Sequence, residues 1–468
     1  MPDLTFASGD RERDIARDLH ALTAELPLIC PHGHIDPRIL ADDAPFGDPA
    51  QLLVVPDHYV TRMLLSQGIP PGRLGVPART GEPVETDGRT IWRLLAENWY
   101  LFRGTPSRLW LERTFDTVFD VRTPLRPETA DDIYDAIAAR LAEPSFRPRA
   151  LFEKFGIEVL ATTESPLDDL TQHAKLEADG WKGRVITTFR PDNVVDMEFD
   201  GWAHAVARLG EVAGTDTTRF GGYLDALRRR RADFIAAGAT SSDHGHPTAL
   251  TIDLPAADAA AIYERGLAGT ASAADRELFR AHMLMEFARM SIDDGLVMQL
   301  HPGAVRNHNR WLHDMHGRDT GGDIPQATDY VHGLRPLLDA YGNDPRLRVV
   351  LYTLDEDTFS RELAPLAGGY AALYLGAPWW FLDTPDGLRR FREAVTDSAG
   401  FYNTAGFVDD TRAFCSIPVR HDIARRVDAA YLAGLVTQGR LPYDEAAETI
   451  QDLAYHLPKH IFRLDGEK

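Results

Sequence analysis

Short apolar, β-branched runs that break into polar, Gly or Pro residues recur eight times along the chain. They cover residues 26–35, 157–166, 183–192, 238–247, 296–303, 346–355, 371–380 and 403–412. Runs of this kind, without strict alternation, predict strands buried on both faces of a parallel sheet. The fourth, "GATSSDHGHP", is the least strand-like of the set. Between the runs lie stretches with helical spacing, such as "SPLDDLTQHAKLEADG", "DRELFRAHMLMEFARMSIDDG" and "TPDGLRRFREAVTDSAG". These begin on acidic, Ser or Thr residues and several end on Gly, as helices do. Alternation of this kind reads as repeated β/α units, and eight of them predict an α/β fold of the (β/α)8 TIM-barrel type. An open doubly wound sheet would carry a Gly-rich phosphate turn after its first strand, and "CPHGHID" is not one.

One spacing departs from the pattern. The first run ends near Asp36 and the second begins near Ile157, far beyond an ordinary β/α connection. Helical patterning in "DAPFGDPAQLLVVPDHYVTRMLLSQG", "TIWRLLAENWYLF" and "ADDIYDAIAARLAEP" predicts a large helical insertion after strand one. The expected organisation is an N-terminal segment with the first strand over 1–36, the insertion over 37–150, and the rest of the barrel with closing helices over 151–468. The 468 residues then form one barrel with an insertion, not three ordinary domains.

Charge narrows the partners. Fifty Lys and Arg against 71 Asp and Glu give a net charge of −21, which argues against nucleic acid or an anionic membrane as the main partner. No run reaches the ~18 uninterrupted apolar residues of a membrane span. An N-terminus without an apolar signal core, together with only Cys30 and Cys415, points to the cytoplasm and to reduced thiols that serve packing.

The polar residues gather at the C-terminal ends of the runs, where barrels of this type build active sites. His32 and His34 end the first run. Residues i and i+2 of a strand share a face, so both imidazoles can converge on one metal. Closing the barrel would bring Asp410, at the end of the eighth run, beside them. Two imidazoles and one carboxylate leave a divalent ion with open positions, as catalysis requires. The competing reading of Asp410 is a helix N-cap, a place Asp409 could fill equally well. His301 is a candidate extra ligand or substrate contact, with a structural histidine the alternative. Asp243, His244 and His246 form a rival metal cluster on the weakest run.

Arg190, Arg306 and Arg412 each fall at or just beyond a strand end, where a guanidinium can grip a carboxylate bidentately. Three at one mouth predict a locally positive site for a small anion. The five lysines, Lys154, Lys175, Lys182, Lys459 and Lys468, lie away from the strand ends, which excludes a Schiff-base nucleophile and a lysine-bridged metal pair. His58 and Tyr59, early in the insertion, are candidates to fold over the mouth as an acid/base pair. Trp379 and Trp380 predict either a sugar-stacking wall or core packing.

Nine motifs in order then carry a resemblance over nearly the whole chain: "PHGHID", "PDHYVTRMLLSQG", "ATTESPLDDLTQHA", "FRPD", "SSDHGH", "MQLHPGAVRNHN", "LYTLDE", "PWWFLD" and "GFVDDTRAFCSIPVRHDIARR". The chain resembles the uronate (glucuronate) isomerase family of the amidohydrolase superfamily. The resemblance implies an aldose–ketose isomerase of carbohydrate metabolism that interconverts D-glucuronate with D-fructuronate and D-galacturonate with D-tagaturonate. It implies metal ligands at His32, His34 and Asp410, with one divalent metal as cofactor, zinc being the expected ion. By the same likeness Tyr59, Asp410, Arg412 and His58 serve catalysis and Arg190, His301, Arg306 and Trp379 serve substrate binding; independently, Arg412, two residues beyond Asp410, is expected to point the same way and lower the tyrosine pKa by its positive charge. The implied partner is a small anionic hexuronate, with a homo-oligomer left open. Two departures stand out: Val408-Asp409-Asp410-Thr411-Arg412 replaces the family's leucine-threonine-aspartate-serine-arginine, and Pro302 follows His301. A mononuclear hydrolase acting on a lactone or amide uses the same ligands, and a non-catalytic sugar-acid binder would need only the arginines.

Overall fold

The computed structural model describes residues 4–465. Its strands are β1 (Leu28–Cys30), β2 (Ile157–Glu164), β3 (Arg184–Phe189), β4 (Ser241–His244), β5 (Val297–Leu300), β6 (Ala304–Val305), β7 (Ile324–Pro325), β8 (Val349–Leu351) and β9 (Leu373–Leu375). Seven of them form one parallel sheet in the order β1-β2-β3-β4-β5-β8-β9, and β6 pairs with β7 in a separate antiparallel hairpin. Each sheet strand falls inside a predicted run, and the weakest run does form β4. All are shorter than predicted, because the polar residues at the ends leave the ladder. Pro31, which has no N–H to donate, follows β1 directly, so His32 and His34 sit in the turn beyond it.

The eighth run is the correction. Residues 403–412 form no strand; they touch the sheet through a single parallel bridge between Leu375 and Thr404. Gly406 adopts φ 75° and Asp410 φ 39°, and both interrupt an extended ladder. A side chain on Gly406 would come within 2.7 Å of Pro458, so the C-terminal helix region presses directly on this segment.

Alternate residues of the curled sheet face two environments. Ile29, Val159, Ala161, Ile186, Val297 and Val350 point inward, where Tyr352, Trp379, Val408 and Phe462 complete the packing. On the outside, Leu28, Cys30, Ile157, Leu160 and Val185 share a core with residues between β1 and β2, among them Leu64, Trp92, Phe102 and Phe115. Only helices, turns and irregular segments lie between those two strands. Asp36, Asp48, Asp57, Asp87 and Thr105 each accept backbone N–H bonds at a helix start there, satisfying donors a helix leaves unpaired. Among the described residues no helix is long and apolar enough to cross a membrane.

Candidate active site

A cavity of about 1140 Å³ opens at the C-terminal edge of the sheet and is lined by His34, His58, Tyr59, Arg190, Arg306, Trp379, Asp410 and Arg412. His301 is buried just beneath, its ring 5.0 Å from that of Trp379. The turn after β1 brings His32 and His34 together edge to face, with ring centroids 5.2 Å apart. Their Nε2 atoms lie 3.5 and 3.3 Å from the same Asp410 oxygen, Oδ1. With bonds of roughly 2.0–2.1 Å, tetrahedral metal ligands sit about 3.3–3.4 Å apart, so this spacing is that of a coordination sphere. Asp410 Oδ1 is buried with no hydrogen-bond partner. The donor set fits a divalent metal. Burial works against ionisation of Asp410, but the two histidines outweigh it and hold the carboxyl well below its usual range. The N-cap alternative for Asp410 is not realised: the helix Ile417–Thr437 starts without a side-chain cap.

A second set of metal-type side chains, Cys30, Asp409 and His421, lies behind the first and is fully buried. His421 Nε2 contacts Asp409 at 3.1 Å and Cys30 Sγ at 3.6 Å. Burial first, then Asp409, raises the Cys30 thiol well above its ordinary pKa, so it stays protonated. Cys30 and Cys415 are both free and buried.

The rival cluster on β4 divides. Asp243 Oδ1 lies 2.6 Å from His301 Nε2, and its other oxygen 3.4 Å from Arg190. His244 turns back to Ser242 at 3.0 Å, and His246 is not part of any set of converging metal-type ligands among the described residues. Asp192 accepts Arg190 Nε at 3.0 Å and the Gly245 N–H at 3.1 Å. Gly245 is required by this arrangement: a Cβ there would stand 2.7 Å from His301, 2.8 Å from Asp192 and 2.9 Å from Arg190. Gly245→Ala is therefore expected to lower kcat/KM by about 10- to 100-fold, as a displacement of ~1 Å does in a positioned site. Steady-state kinetics on the folded variant check this, and an unchanged kcat/KM would show that the clash relaxes harmlessly.

The positive mouth expected from the arginines is neutralised. Arg306 pairs with Asp323 at 2.9 Å and Arg412 with Asp319 at 3.4 Å, while Arg190 is held by Asp192 and Asp243. Six arginines line the cavity against eleven carboxylates. A guanidinium taken out of water needs a counter-charge, and the protein supplies one to Arg190, Arg306 and Arg412. Arg306 also lies 5.2 Å from the ring of Trp380, whose φ is 51°. Left-handed backbone at Asn307, Asp319, Trp380 and Asp410, four non-glycine residues around one cavity, marks a site where strain is held by its surroundings.

Asp57 caps the helix His58–Leu65 and places its first turn on the cavity wall. The His58 ring stacks on Trp380 at 5.9 Å. Burial, then Arg412, pushes its pKa down to about 4, so this imidazole is neutral near pH 7. Tyr59 differs from expectation. Its hydroxyl donates to Asp383 at 3.2 and 3.3 Å, and burial followed by Asp383 raises its pKa well above the usual value. Arg412 does not depress it; the guanidinium beside Tyr59 is that of Arg420, which bonds Asp383 at 2.8 Å and stacks on Trp110 at 3.8 Å. Asp383, Arg420, Asp319, Asp192 and Asp323 were not singled out from the sequence. Asp383 and Arg420 lay inside the quoted motifs "PWWFLD" and "SIPVRHDIARR", but nothing local pairs them with Tyr59. Lys468 lies outside the described residues, and the other four lysines are absent from the cavity lining.

A parallel sheet curled so that its C-terminal edges surround a polar cavity, with two imidazoles and a carboxylate converging there, is the arrangement of enzymes with the amidohydrolase-like fold. The family model for glucuronate isomerase matches residues 10–462, and the chain belongs to that family. A uronate isomerase from Phenylobacterium zucineum is 56% identical over 464 residues, covering 99% of this chain and 96% of that protein. One from Rhizorhabdus wittichii is 58% identical over 463 residues, covering 99% and 98%. The crystal structure of glucuronate isomerase from Caulobacter crescentus superposes with a TM-score of 0.98 at 53% identity, over 100% of this chain and 98% of that one.

Proposed function

We propose that the protein is a uronate isomerase that interconverts D-glucuronate with D-fructuronate and D-galacturonate with D-tagaturonate. The observation that carries this is the match to the glucuronate isomerase family over almost the whole chain. The reaction opens the sugar ring, moves a proton from C2 to C1, and passes through an enediol. Its barrier lies in acidifying a carbon beside a carbonyl, so a base near C2 and stabilisation of the developing oxyanion are both needed.

His32, His34 and Asp410 are the residues that would hold one divalent metal, zinc suiting two imidazoles and a carboxylate. When bound, it supplies a fixed positive charge against negative charge developing on substrate oxygen. Tyr59 and Asp410 are the acid/base pair, supported by their common cavity. Arg190 or Arg306 takes the C6 carboxylate, a bidentate role that competes with their present aspartate partners. Trp379 forms the wall against which the sugar lies, with His301 directly beneath it. His58, neutral and stacked, offers a ring nitrogen to a hydroxyl, and Arg412 adds positive charge at the rim.

The finer architecture reads as a closed (β/α)8 barrel with residues 37–150 inserted after β1. The bridge at Thr404 and the bond from the His34 N–H to the Thr411 carbonyl, 3.1 Å, support residues 403–411 as its eighth stave. Two buried free thiols favour a cytoplasmic setting.

The direct test is to incubate the purified protein with each uronate, with and without a chelator. A ketose product from both, lost on chelation and restored by zinc, is expected. A hydrolase would leave the free sugar acids unchanged, and that result would sink the isomerase reading.

A further inference from the structure

Behind Tyr59 lie two buried groups, Asp383 and Arg420, that the reaction described so far does not use. Tyr59 comes from the capped helix after β1, Asp383 from the turn after Trp380–Leu382, and Arg420 from the helix Ile417–Thr437. The Tyr59 hydroxyl donates to both oxygens of Asp383, at 3.3 and 3.2 Å, and Arg420 Nη1 donates to Oδ2 at 2.8 Å. Asp383 and Arg420 are about 6% and 5% exposed. Tyr59 and Arg420 reach the cavity, whereas Asp383 is not among its lining residues. Arg420 is pinned further by Trp110, whose ring also meets Tyr59 edge to face at 5.6 Å.

We infer that Asp383 is the positioning residue that receives the hydroxyl proton of Tyr59 each time Tyr59 takes a proton from substrate, with Arg420 keeping Asp383 ready to accept it. The inference rests on the reading of Tyr59 as an acid/base group. In the forward half-step the Tyr59 O–H bond breaks and its proton forms an O–H bond on Asp383. The Tyr59 oxygen takes the substrate proton, the C–H pair becomes the C1–C2 double bond, and the carbonyl pair moves onto O1. In the second half-step the O2 proton passes through Asp410 to O1 and the O2 pair forms the C2 carbonyl, while the double-bond pair takes the proton from the Tyr59 oxygen at C1 and Asp383 returns its proton to that oxygen, so no other reactant is needed. Total charge among the three groups and the substrate is unchanged throughout. A lone buried phenolate would be far costlier to form, which is why the hydroxyl of a buried tyrosine requires an acceptor behind it. Burial, opposed by Arg420, leaves Asp383 with a pKa of about 7, so it can take up and release a proton under neutral conditions.

The test is a double-mutant cycle on the full-length enzyme with Tyr59→Phe, Asp383→Asn and the pair. Asp383→Asn is expected to lower kcat by about 10- to 100-fold, with KM changed by less than about twofold. In the Tyr59→Phe background the same substitution should cost less than about twofold, because the proton it would receive is gone. Wild-type kcat in Asp383→Asn, or losses that multiply in the double variant, overturns the inference. Wild-type turnover in Tyr59→Phe alone overturns instead the parent reading. If Asp383→Asn does not fold, Asp383→Ser, which also lacks a carboxylate, is carried through the same cycle with the same two criteria.

Discussion

Replacing Asp410 with asparagine is expected to lower turnover of both uronates by at least about 10⁴-fold, the upper end of what one positioned acid/base group contributes. The size follows from position. Both imidazole Nε2 atoms face its Oδ1, at 3.3 and 3.5 Å, so the substitution removes the sole carboxylate of that donor set as well as the proton acceptor proposed above. The amide is nearly isosteric, and the left-handed backbone at this position is one that asparagine tolerates better than most residues. The variant should therefore fold with a melting transition close to that of the parent while binding far less divalent metal. Metal content after gel filtration, read beside initial rates, checks both halves. Full activity in a well-folded variant would remove Asp410 from the mechanism.

Tyr59→Phe is expected to lower kcat by about 10²- to 10⁴-fold. Only an oxygen is lost, and the ring keeps its contacts with Trp110 and His58. The bond it leaves behind is not free: Asp383 loses a donor but retains Arg420, so the stability cost should stay near 1 kcal/mol, typical of one hydrogen bond. Running the reaction in deuterated water separates chemistry from binding, because the product of the parent enzyme should carry solvent deuterium to whatever extent the transferred proton exchanges. The variant should form both product and label more slowly by that same factor. Retained turnover with a wild-type labelling pattern would mean that another group moves the proton, and His58, edge to face with Tyr59 at 4.9 Å, would be the next to test.

The places of Asp410 and Tyr59 at the cavity were legible in the sequence. Asp410 ends an apolar run, and Tyr59 follows an aspartate that caps a helix. The weakest run became β4 despite its polar residues because Ser242 and Asp243 find buried partners in His244, His301 and Arg190. The eighth run failed to become a strand although it looked more apolar. Its extension depends on Gly406, where packing against Pro458 in a segment distant in sequence imposes a left-handed turn.

What the sequence by itself determined is everything governed by short-range sterics and hydrogen bonding: where strands centre, where aspartates start helices, and which chemical types stand at strand ends. The ordered motifs also carried the family. Tertiary structure alone decided which charges meet. Asp383 lies 324 residues from the tyrosine whose hydroxyl it accepts, Asp243 reaches Arg190 from β4, and the aspartates paired with Arg306 and Arg412 come from loops around the cavity. The reason is physical. Periodicity and capping are properties of neighbours along the chain, whereas the pairing of buried charges is set by chain closure and by the cost of leaving any one of them uncompensated.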